Sequence, residues 1–202
     1  ELPDDVANYA QYLSELNLFE TSAVSEMDSK RTEMIQVEQQ RRDIQKGFVD
    51  LDDYLSSLKM KITLARFDKF HLPRIAQLIQ RSNQFNLTTR RYTESECELF
   101  LKHPNYFPLF AKLKDRFGES GLISVVILRL KNREVEVDVW LMSCRVLMRG
   151  VEQTIMNAVV RWAKENNYER ISGEFIASPK NKMVENFYEQ FGFKHLKAQG
   201  DA

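Results

Sequence analysis

The strongest constraint on the fold is a run of three apolar segments between residues 106 and 144, each long enough to form a β-strand. Only the short polar connections RFGES and NR separate them. Connections of this length join neighbouring antiparallel strands, so the run predicts consecutive hairpins in one sheet. The three segments are YFPLFAKLKD (106–115), GLISVVILRLK (121–131) and EVEVDVWLMSC (134–144).

Strand and helix patterns continue on both sides of the hairpins. Pro73 falls in the first turn of one predicted helix, and Thr93 with Glu96 forms a capping box at the start of the next. The order βααβββαβαβ predicts an α+β fold with a mostly antiparallel sheet flanked by helices. The elements predicted outside the hairpins are a strand at 59–67, helices at 72–82 and 93–104, a long helix after Gly150, a strand at 170–177, a helix at 181–190 and the start of a strand at 193–197.

The first 58 residues have helical patterns of a different kind. Helices are predicted at about 4–18, 25–46 and 50–58, and the second of these is very polar, with a narrow apolar stripe. We therefore expect a small helical connector segment (1–58) followed by the main domain (59–202). The first residues, ELPDD, lack a methionine and suggest an excised or processed piece of a longer protein.

Charge and composition narrow the classes of partner. The 29 basic side chains equal the 29 acidic ones, which gives no overall attraction to nucleic acid or to a membrane surface. No apolar stretch approaches the roughly 20 residues that cross a bilayer. Cys97 and Cys144 lie far apart and are expected to be free thiols, and the three histidines form no cluster that predicts a metal site. We expect a cytoplasmic protein.

The connection between the third hairpin strand and the long helix predicts an anion site. A loop that enters a helix N-terminus directs unpaired backbone N–H groups, and the positive end of the helix dipole, at one point. A phosphate or pyrophosphate suits such a place, and two arginines in the loop would add charge-assisted contacts. The residues of this loop are Arg145, Met148, Arg149, Gly150 and Val151.

The order of elements, with this loop, resembles the GNAT fold of acyl-coenzyme A dependent N-acetyltransferases. Two motifs carry the resemblance: Arg145, Met148 and Gly150 stand where that family has (R/Q)xxGx(G/A), and a second set follows its NxxAxxxYxxxGF ending. Met148 departs from the first motif, in which a glycine would permit the closest approach of a ligand to the backbone. The second set is Asn181, Val184, Tyr188, Gly192 and Phe193.

A closer resemblance covers most of the chain. The segments FHLPRIAQLIQRSNQFNLTTRRYTESE, KDRFGESGLISVVI, WLMSCRV and KNKMVENFYEQFGF are similar to the C-terminal half of FkbH-like proteins, which join a HAD-type phosphatase domain to a GNAT-like domain. The resemblance implies transfer of a phosphoglyceryl or glyceryl group, through a cysteine thioester, to an acyl carrier protein in polyketide biosynthesis. The DxDxT motif of the phosphatase half is absent, so that domain is expected N-terminal to these residues.

Two catalytic residues are expected. Cys144 ends a strand beside Arg145 and near a helix N-terminus, surroundings that favour a thiolate, although an unreactive core thiol is the alternative. Tyr188 stands where many GNAT enzymes keep a general acid, with a core aromatic as the alternative. Backbone N–H groups near residues 140–143 would stabilise the tetrahedral oxyanion.

The remaining site residues fall into two groups. The cofactor, either coenzyme A or the phosphopantetheine of a carrier protein, is expected to enter between splayed strands 134–144 and 170–177; Asn181 could instead be a helix cap. The polar string from 83 to 91 is expected to orient a phosphorylated hydroxy acid, or to be a hydrogen-bonded loop. The cofactor residues are Arg145, Met148, Arg149, Gly150, Val151 and Asn181, and the substrate residues are Asn83, Gln84, Asn86, Thr88, Arg90 and Arg91.

Two other functions remain open at this stage. One is an acetyl-coenzyme A dependent N-acetyltransferase that uses Tyr188 as the acid and forms no covalent intermediate. The other is a non-catalytic module that docks a carrier protein or a phosphatase domain.

Overall fold

The structure is a computed structural model that describes residues 26–196. The chain divides into two compact units, residues 1–49 and residues 50–202. Helix α1 (Glu26–Gln45) belongs to the first unit, and the helix predicted at 4–18 lies outside the described residues. No described helix is both long and apolar enough to cross a membrane.

The second unit contains all remaining described elements. Its helices are α2 (Leu51–Ser57), α3 (Leu72–Arg81), α4 (Glu94–Lys102) and α5 (Val151–Glu165). Its strands are β1 (Lys61–Arg66), β2 (Phe85–Asn86), β3 (Tyr106–Asp115), β4 (Gly118–Lys131), β5 (Glu134–Met142) and β6 (Arg170–Gly173). Three short 3-10 turns span Cys144–Val146, Lys182–Val184 and Glu189–Phe191.

The six strands form one mixed sheet flanked by helices, which confirms the predicted fold class. The order is β1-β3-β4-β5-β2, and β6 also pairs with β5. All pairs are antiparallel except β5–β6. The predicted hairpins are confirmed, because β3–β4 and β4–β5 are joined by two-residue turns.

A bulge in β5 determines which of its side chains face each layer. Leu128 pairs with Val137 and Ile127 with Val139, so Asp138 is the extra residue. Before the bulge, Val135 and Val137 pack in the core that contains α5. After it, Trp140 and Met142 face that core, while Val139 and Leu141 join the core beneath α3. Nearly all of β5 is therefore buried, with helices on both sides of the sheet.

The predicted helix α4 begins as its sequence indicates. The Thr93 hydroxyl accepts a hydrogen bond from the Glu96 backbone N–H at 3.3 Å, and the Glu96 carboxylate accepts one from the Thr93 backbone N–H at 2.7 Å. This reciprocal capping box satisfies two of the donors that the first helical turn leaves unpaired.

Three predicted elements differ near the C-terminal end. The strand predicted at 170–177 ends at Gly173, and described residues 193–196 form no strand. The helix predicted at 181–190 consists of 3-10 turns, because its backbone bonds run from i to i−3, as from Val184 N–H to Asn181 O (3.0 Å).

The boundary between compact units lies before α2 rather than after residue 58. Helix α2 is capped by Asp50, whose carboxylate accepts a hydrogen bond from the Asp52 backbone N–H at 2.8 Å. Leu58, just after the helix, is fully buried, and its carbonyl accepts a hydrogen bond from Arg116 N–H at 2.9 Å. Helix α2 is thus part of the second unit. A division of function at residue 58 stays a prediction.

Candidate active site

Strands β5 and β6 separate at the bulge. They pair in parallel from Glu134 with Arg170 to Val137 with Gly173, and Asp138 is the first residue beyond the pairing. The predicted separation of the two segments therefore exists. Its apex lies at Asp138 and Glu174, and we take this apex as the centre of the candidate site.

The gap between the separated strands is filled by the chain itself. Phe85 and Asn86 pair with Met142 and Leu141, and Leu87 N–H donates to Trp140 O at 3.1 Å. On the other side, Ile176 N–H donates to Leu87 O at 2.8 Å. We call residues Phe85–Arg90 the inserted segment. The expectation of an open gap for a pantetheine arm is wrong for this conformation, because the backbone groups that an arm would use are already paired.

The inserted segment is also anchored by apolar side chains at its start. Phe85 and Leu87 are buried in the core beneath α5, and the Phe85 ring meets Phe187 edge to face, with ring centroids 5.2 Å apart. Removal of two such side chains from the core would lose several kilocalories of burial free energy, about 1.5–3 kcal/mol each. This half of the segment is therefore a fixed part of the sheet.

The second half is held by polar contacts around the bulge. Thr88 donates its hydroxyl to the Asp138 carbonyl at 2.9 Å. Arg90 donates to the same carbonyl at 2.9 Å and to the Asp138 carboxylate at 3.2 Å, and pairs with Glu174 at 2.7 Å. Thr89 between them has φ +55°, which is unfavourable for a β-branched residue.

Asp138 is the fully buried acid at this centre, and sequence reasoning missed it. Its carboxylate accepts bonds from Arg129 at 2.8 Å and from the Tyr92 hydroxyl at 2.8 Å, besides that from Arg90. Burial, and then the hydrogen bond to this carboxylate, raise the pKa of Tyr92. The position of Asp138, directly before the apolar run VWLM, was the available signal, since a buried charge requires partners.

The predicted substrate residues mostly bond to the protein. Asn86 is buried, and its side-chain oxygen accepts from Thr89 N–H at 3.0 Å. Arg91 donates to the Ile79 carbonyl and, at 2.6 Å, to Asn83. Gln84 is exposed. Within the described residues, an open depression of about 210 Å³ lies beside them, lined by Asn83, Thr89, Arg91, Ser178, Pro179 and Lys180.

Asn181 is fully buried and connects the inserted segment to the chain after β6. Its side-chain nitrogen donates to Asn86 O at 2.8 Å and to Ile176 O at 2.9 Å, while its oxygen accepts from Ser178 N–H at 2.7 Å. Asn181 makes no side-chain cap bond to the turn that follows it. All of these contacts are structural, and they stabilise the closed gap.

Tyr188 lies against β6 with its hydroxyl buried. That hydroxyl has no hydrogen-bond partner in the structure, and burial raises its pKa; the negative charge of Glu174 raises the pKa further, and the positive charge of Arg90 opposes the rise. Gly173 makes room for the ring, since a Cβ there would come within 2.3 Å of the ring atoms. An unpaired buried hydroxyl costs free energy, about 1–3 kcal/mol, so a partner that approaches from the gap would be favoured.

The loop after β5 exposes one thiol. Ser143 is buried, and Cys144 is exposed at the start of a 3-10 turn. The next residue, Arg145, donates from Nε to the Ser143 hydroxyl at 3.3 Å. The pKa of Arg74 is lowered, by burial first and then by the charges of Arg145 and Arg81, so these arginines are neighbours.

The backbone of the same loop is left-handed at two positions, a conformation that glycine adopts easily. Met148 has φ +61° and Gly150 φ +71°, both left-handed, and the Met148 side chain is exposed. The substitution of the family glycine therefore leaves the backbone conformation available. Arg149 is half-buried, and Val151, the first residue of α5, is buried.

The backbone amides at the predicted anion site of this loop already have a carboxylate beside them. Burial raises the pKa of Glu152, and hydrogen bonds from the backbone N–H groups of Glu152 and Met148 oppose that rise. These are amides that a phosphate would use at the N-terminus of α5. An incoming phosphate would thus compete with the Glu152 side chain.

Comparison with solved structures identifies the fold. The ribosomal-protein-S18-alanine N-acetyltransferase from Escherichia coli is 12% identical, with a TM-score of 0.53, over 68% of this chain and 80% of that chain. The ribosomal-protein-alanine N-acetyltransferase from Brucella melitensis is 14% identical, with a TM-score of 0.54, over 70% and 97%. The fold is that of the GNAT N-acetyltransferases.

A third GNAT structure was determined with a ligand. It is the aminoglycoside N-acetyltransferase AAC(6')-Iy in complex with CoA, 16% identical with a TM-score of 0.52, over 69% of this chain and 91% of that chain. No family model and no curated protein sequence matches the chain. At these identities the likeness concerns the fold alone.

The residues present fit only part of a phosphopantetheine group. The loop from Cys144 to Gly150 has the left-handed residues and the arginines that suit its phosphate. The edge of β5 from Trp140 to Met142 does not suit the arm, because Phe85–Leu87 occupies it. A complete arm cannot lie along β5 in this conformation.

Proposed function

We propose that this domain is an acyltransferase in which the Cys144 thiol receives an acyl group from a thioester and passes it to a second thiol. One observation carries the proposal: Cys144 is exposed at the end of β5 within an arginine-rich loop, whereas the Tyr188 hydroxyl is buried. A covalent route needs a nucleophile that a substrate can reach.

The reaction balances as two thiol exchanges. The Cys144 thiolate attacks the thioester carbonyl, the tetrahedral intermediate expels the donor thiolate, and that thiolate takes up the proton lost from Cys144. The reverse attack by the acceptor thiol completes the transfer. Arg145, which follows Cys144 in the same 3-10 turn, carries a positive charge that would stabilise the anionic tetrahedral intermediate.

The substrate class is proposed from two features together. Arg91 and Lys180 border the open depression, and two cations there suit a phosphorylated or carboxylated hydroxyacyl group such as phosphoglyceryl. The resemblance of the polar string to FkbH-like proteins supports the same class, with an acyl carrier protein as acceptor and a HAD-type phosphatase domain as partner. The carrier's phosphopantetheine thiol would meet Cys144 at the exposed loop.

Intact mass measurement tests the covalent stage. After incubation with a phosphoglyceryl thioester, we expect a mass increase of one acyl group on the wild-type protein and none on Cys144→Ser. The matched control is Cys97→Ser, which should retain the adduct, because Cys97 is buried and burial raises its pKa to about 12. An adduct that survives in Cys144→Ser would contradict the proposal.

A second candidate is N-acetyl transfer from acetyl-coenzyme A without a covalent stage. The unpaired Tyr188 hydroxyl beside the gap favours it, since a buried phenol that stays protonated can donate to a leaving thiolate. In that case Tyr188→Phe should abolish acetylation of an amine acceptor and Cys144→Ser should leave it unchanged. The opposite pattern supports the thiol route.

A further inference from the structure

A second open depression lies at the end of the sheet opposite to Cys144. Its volume is about 360 Å³, a size that suits a small ligand. Leu130 of β4 lines it and pairs with Val135 near the start of β5, whereas Ser124 of β4 pairs with Met142 near the end of β5. At about 3.3 Å per residue, the strand between Ser124 and Leu130 spans about 20 Å. The depression is therefore not part of the candidate active site.

Three side chains that line the depression are hydrogen-bond donors. Arg66 ends β1, Lys102 ends α4, and His103 follows α4. The His103 Nδ1 accepts a hydrogen bond from the Asn105 backbone N–H at 3.2 Å, so the ring proton is on Nε2, which is then also a donor. None of the described residues that line the depression is acidic. The depression therefore presents donors, two of them cationic, to an anion.

The two cations are not neutralised by the protein. Among residues 26–196, Arg66 and Lys102 have no carboxylate partner. A cation in the last turn of a helix is favourable by itself, and this would be sufficient to explain Lys102. Arg66 comes from a different element and borders the same depression. Cations that converge from two elements without an acid suit a phosphate, with which guanidinium forms paired hydrogen bonds.

Stacked aromatic rings also line the depression. The rings of Phe107 and Trp162 are stacked with centroids 3.9 Å apart, and the Arg66 guanidinium lies over Phe107 at 4.4 Å from its centroid. Tyr168 continues the stack, 5.5 Å from Trp162 with the planes 27° apart. Nearly parallel rings at this distance are laterally offset, so Tyr168 leaves part of the indole face uncovered. Such a face can stack a planar base.

The polar groups of the lining are held in place by backbone contacts. Tyr106 N–H donates to His103 O at 3.1 Å, and Leu130 N–H donates to Asn105 O at 2.8 Å, which fixes the turn that carries His103. The Asn166 side-chain nitrogen donates to the Trp162 carbonyl at 2.8 Å. Its side-chain oxygen is then an acceptor for an amino group.

We propose that this depression binds a nucleoside monophosphate, with the phosphate at the three donors and the base against Trp162. A simple anion would use only the donors, and an uncharged ring would use only the stack, whereas the lining contains both. Asn166 would accept from an amino group of the base. The site lies apart from Cys144 and does not rest on the proposed acyl transfer.

Tryptophan fluorescence of the full chain reports on the site. Trp162 lines the depression, and the only other tryptophan, Trp140, is fully buried. Titration with AMP should quench the emission of Trp162, and calorimetry should give a submillimolar dissociation constant. Adenosine, which lacks the phosphate, and ribose phosphate, which lacks the base, should each bind at least about tenfold more weakly.

Three variants locate the bound nucleotide. Arg66→Gln should raise the dissociation constant of AMP by about tenfold or more, because a charge-assisted bond to the phosphate is lost. The matched control is Lys61→Gln, an exposed cation on the same strand that does not line the depression, and it should bind AMP as the wild type does. Trp162→Phe keeps a ring beside Phe107, so AMP should still bind in calorimetry while the quenching disappears.

The loop after β5 is the other place predicted to hold a phosphate, and Arg145→Gln distinguishes it. AMP binding that is lost in Arg145→Gln and retained in Arg66→Gln would place the nucleotide at that loop and overturn the proposal. Three further results would also overturn it: ribose phosphate that binds as tightly as AMP, quenching that persists in Trp162→Phe, and no AMP binding at millimolar concentration.

Discussion

Two residues of the candidate site have an unusual backbone conformation. Thr89 and Met148 are both left-handed without being glycine; Thr89 directly precedes Arg90, and Met148 belongs to the loop that contains Cys144. Left-handed backbone in such residues costs about 1–2 kcal/mol and persists where other contacts hold it. Neither conformation can be predicted from the residue type.

Relief of strain at Thr89 should stabilise the domain. Asparagine tolerates a left-handed backbone, so Thr89→Asn should raise the free energy of unfolding by about 0.5–1 kcal/mol, measured by urea denaturation. Thr63→Asn is the control, because residue 63 is exposed on strand β1 and asparagine is unfavourable in strands. It should lower stability. A loss of stability in Thr89→Asn would show that the threonine conformation is unstrained.

Sequence reasoning proposed roles for Cys144 and Tyr188 but could not show their surroundings. Cys144 is exposed because the chain turns immediately after buried Ser143, and the amino-acid pattern WLMSCRV does not reveal where that turn falls. The contacts that hide the Tyr188 hydroxyl come from Gly173 and its neighbourhood, fifteen residues earlier in the sequence. Accessibility depends on tertiary contacts, which periodicity does not encode.

Among the elements, β6 depends on a glycine for its close contact with Tyr188. A methyl group on Gly173 would lie 2.3 Å from the Tyr188 ring. Gly173→Ala should therefore lower the free energy of unfolding by about 1–3 kcal/mol, measured by urea denaturation, although glycine-to-alanine changes at relaxed positions are often stabilising.

A double-mutant cycle checks the cause of that loss. In a Tyr188→Leu background the ring is absent, so Gly173→Ala should cost much less than in the wild type. In a Tyr188→Phe background most of the cost should remain, because the ring persists. An equal cost in all three backgrounds would locate the effect in the β6 backbone instead.

The predictability of elements follows the range of their contacts. Strands β3 to β5 were predictable because short turns join them and each carries its own apolar pattern. Strand β2 was not, because it is two residues long and pairs with residues more than fifty positions away. The segment 181–190 has apolar residues that also suit a helix, and Val184 and Phe187 are buried at the i, i+3 spacing that a 3-10 turn satisfies equally well.

At the scale of the whole molecule, the start of the GNAT-fold unit can be tested by truncation. A fragment of residues 50–202 should unfold cooperatively with the stability of the corresponding transition in the full chain. A fragment of residues 59–202 loses buried Tyr54 and Leu58 and should be less stable by at least about 3 kcal/mol. Thermal denaturation followed by circular dichroism makes the comparison. Equal stability of the two fragments would show that the folded unit begins after residue 58.

The bulge at Asp138 restricts the insertions and deletions that such chains can accept during evolution. Because one extra residue reverses which side chains face each layer, loss or gain of a single codon between Val137 and Ser143 would turn Trp140 and Met142 towards the wrong helices. Lineages that share this domain should vary freely in the lengths of their surface connections. The spacing from Val137 to Ser143 should be inherited without insertion or deletion.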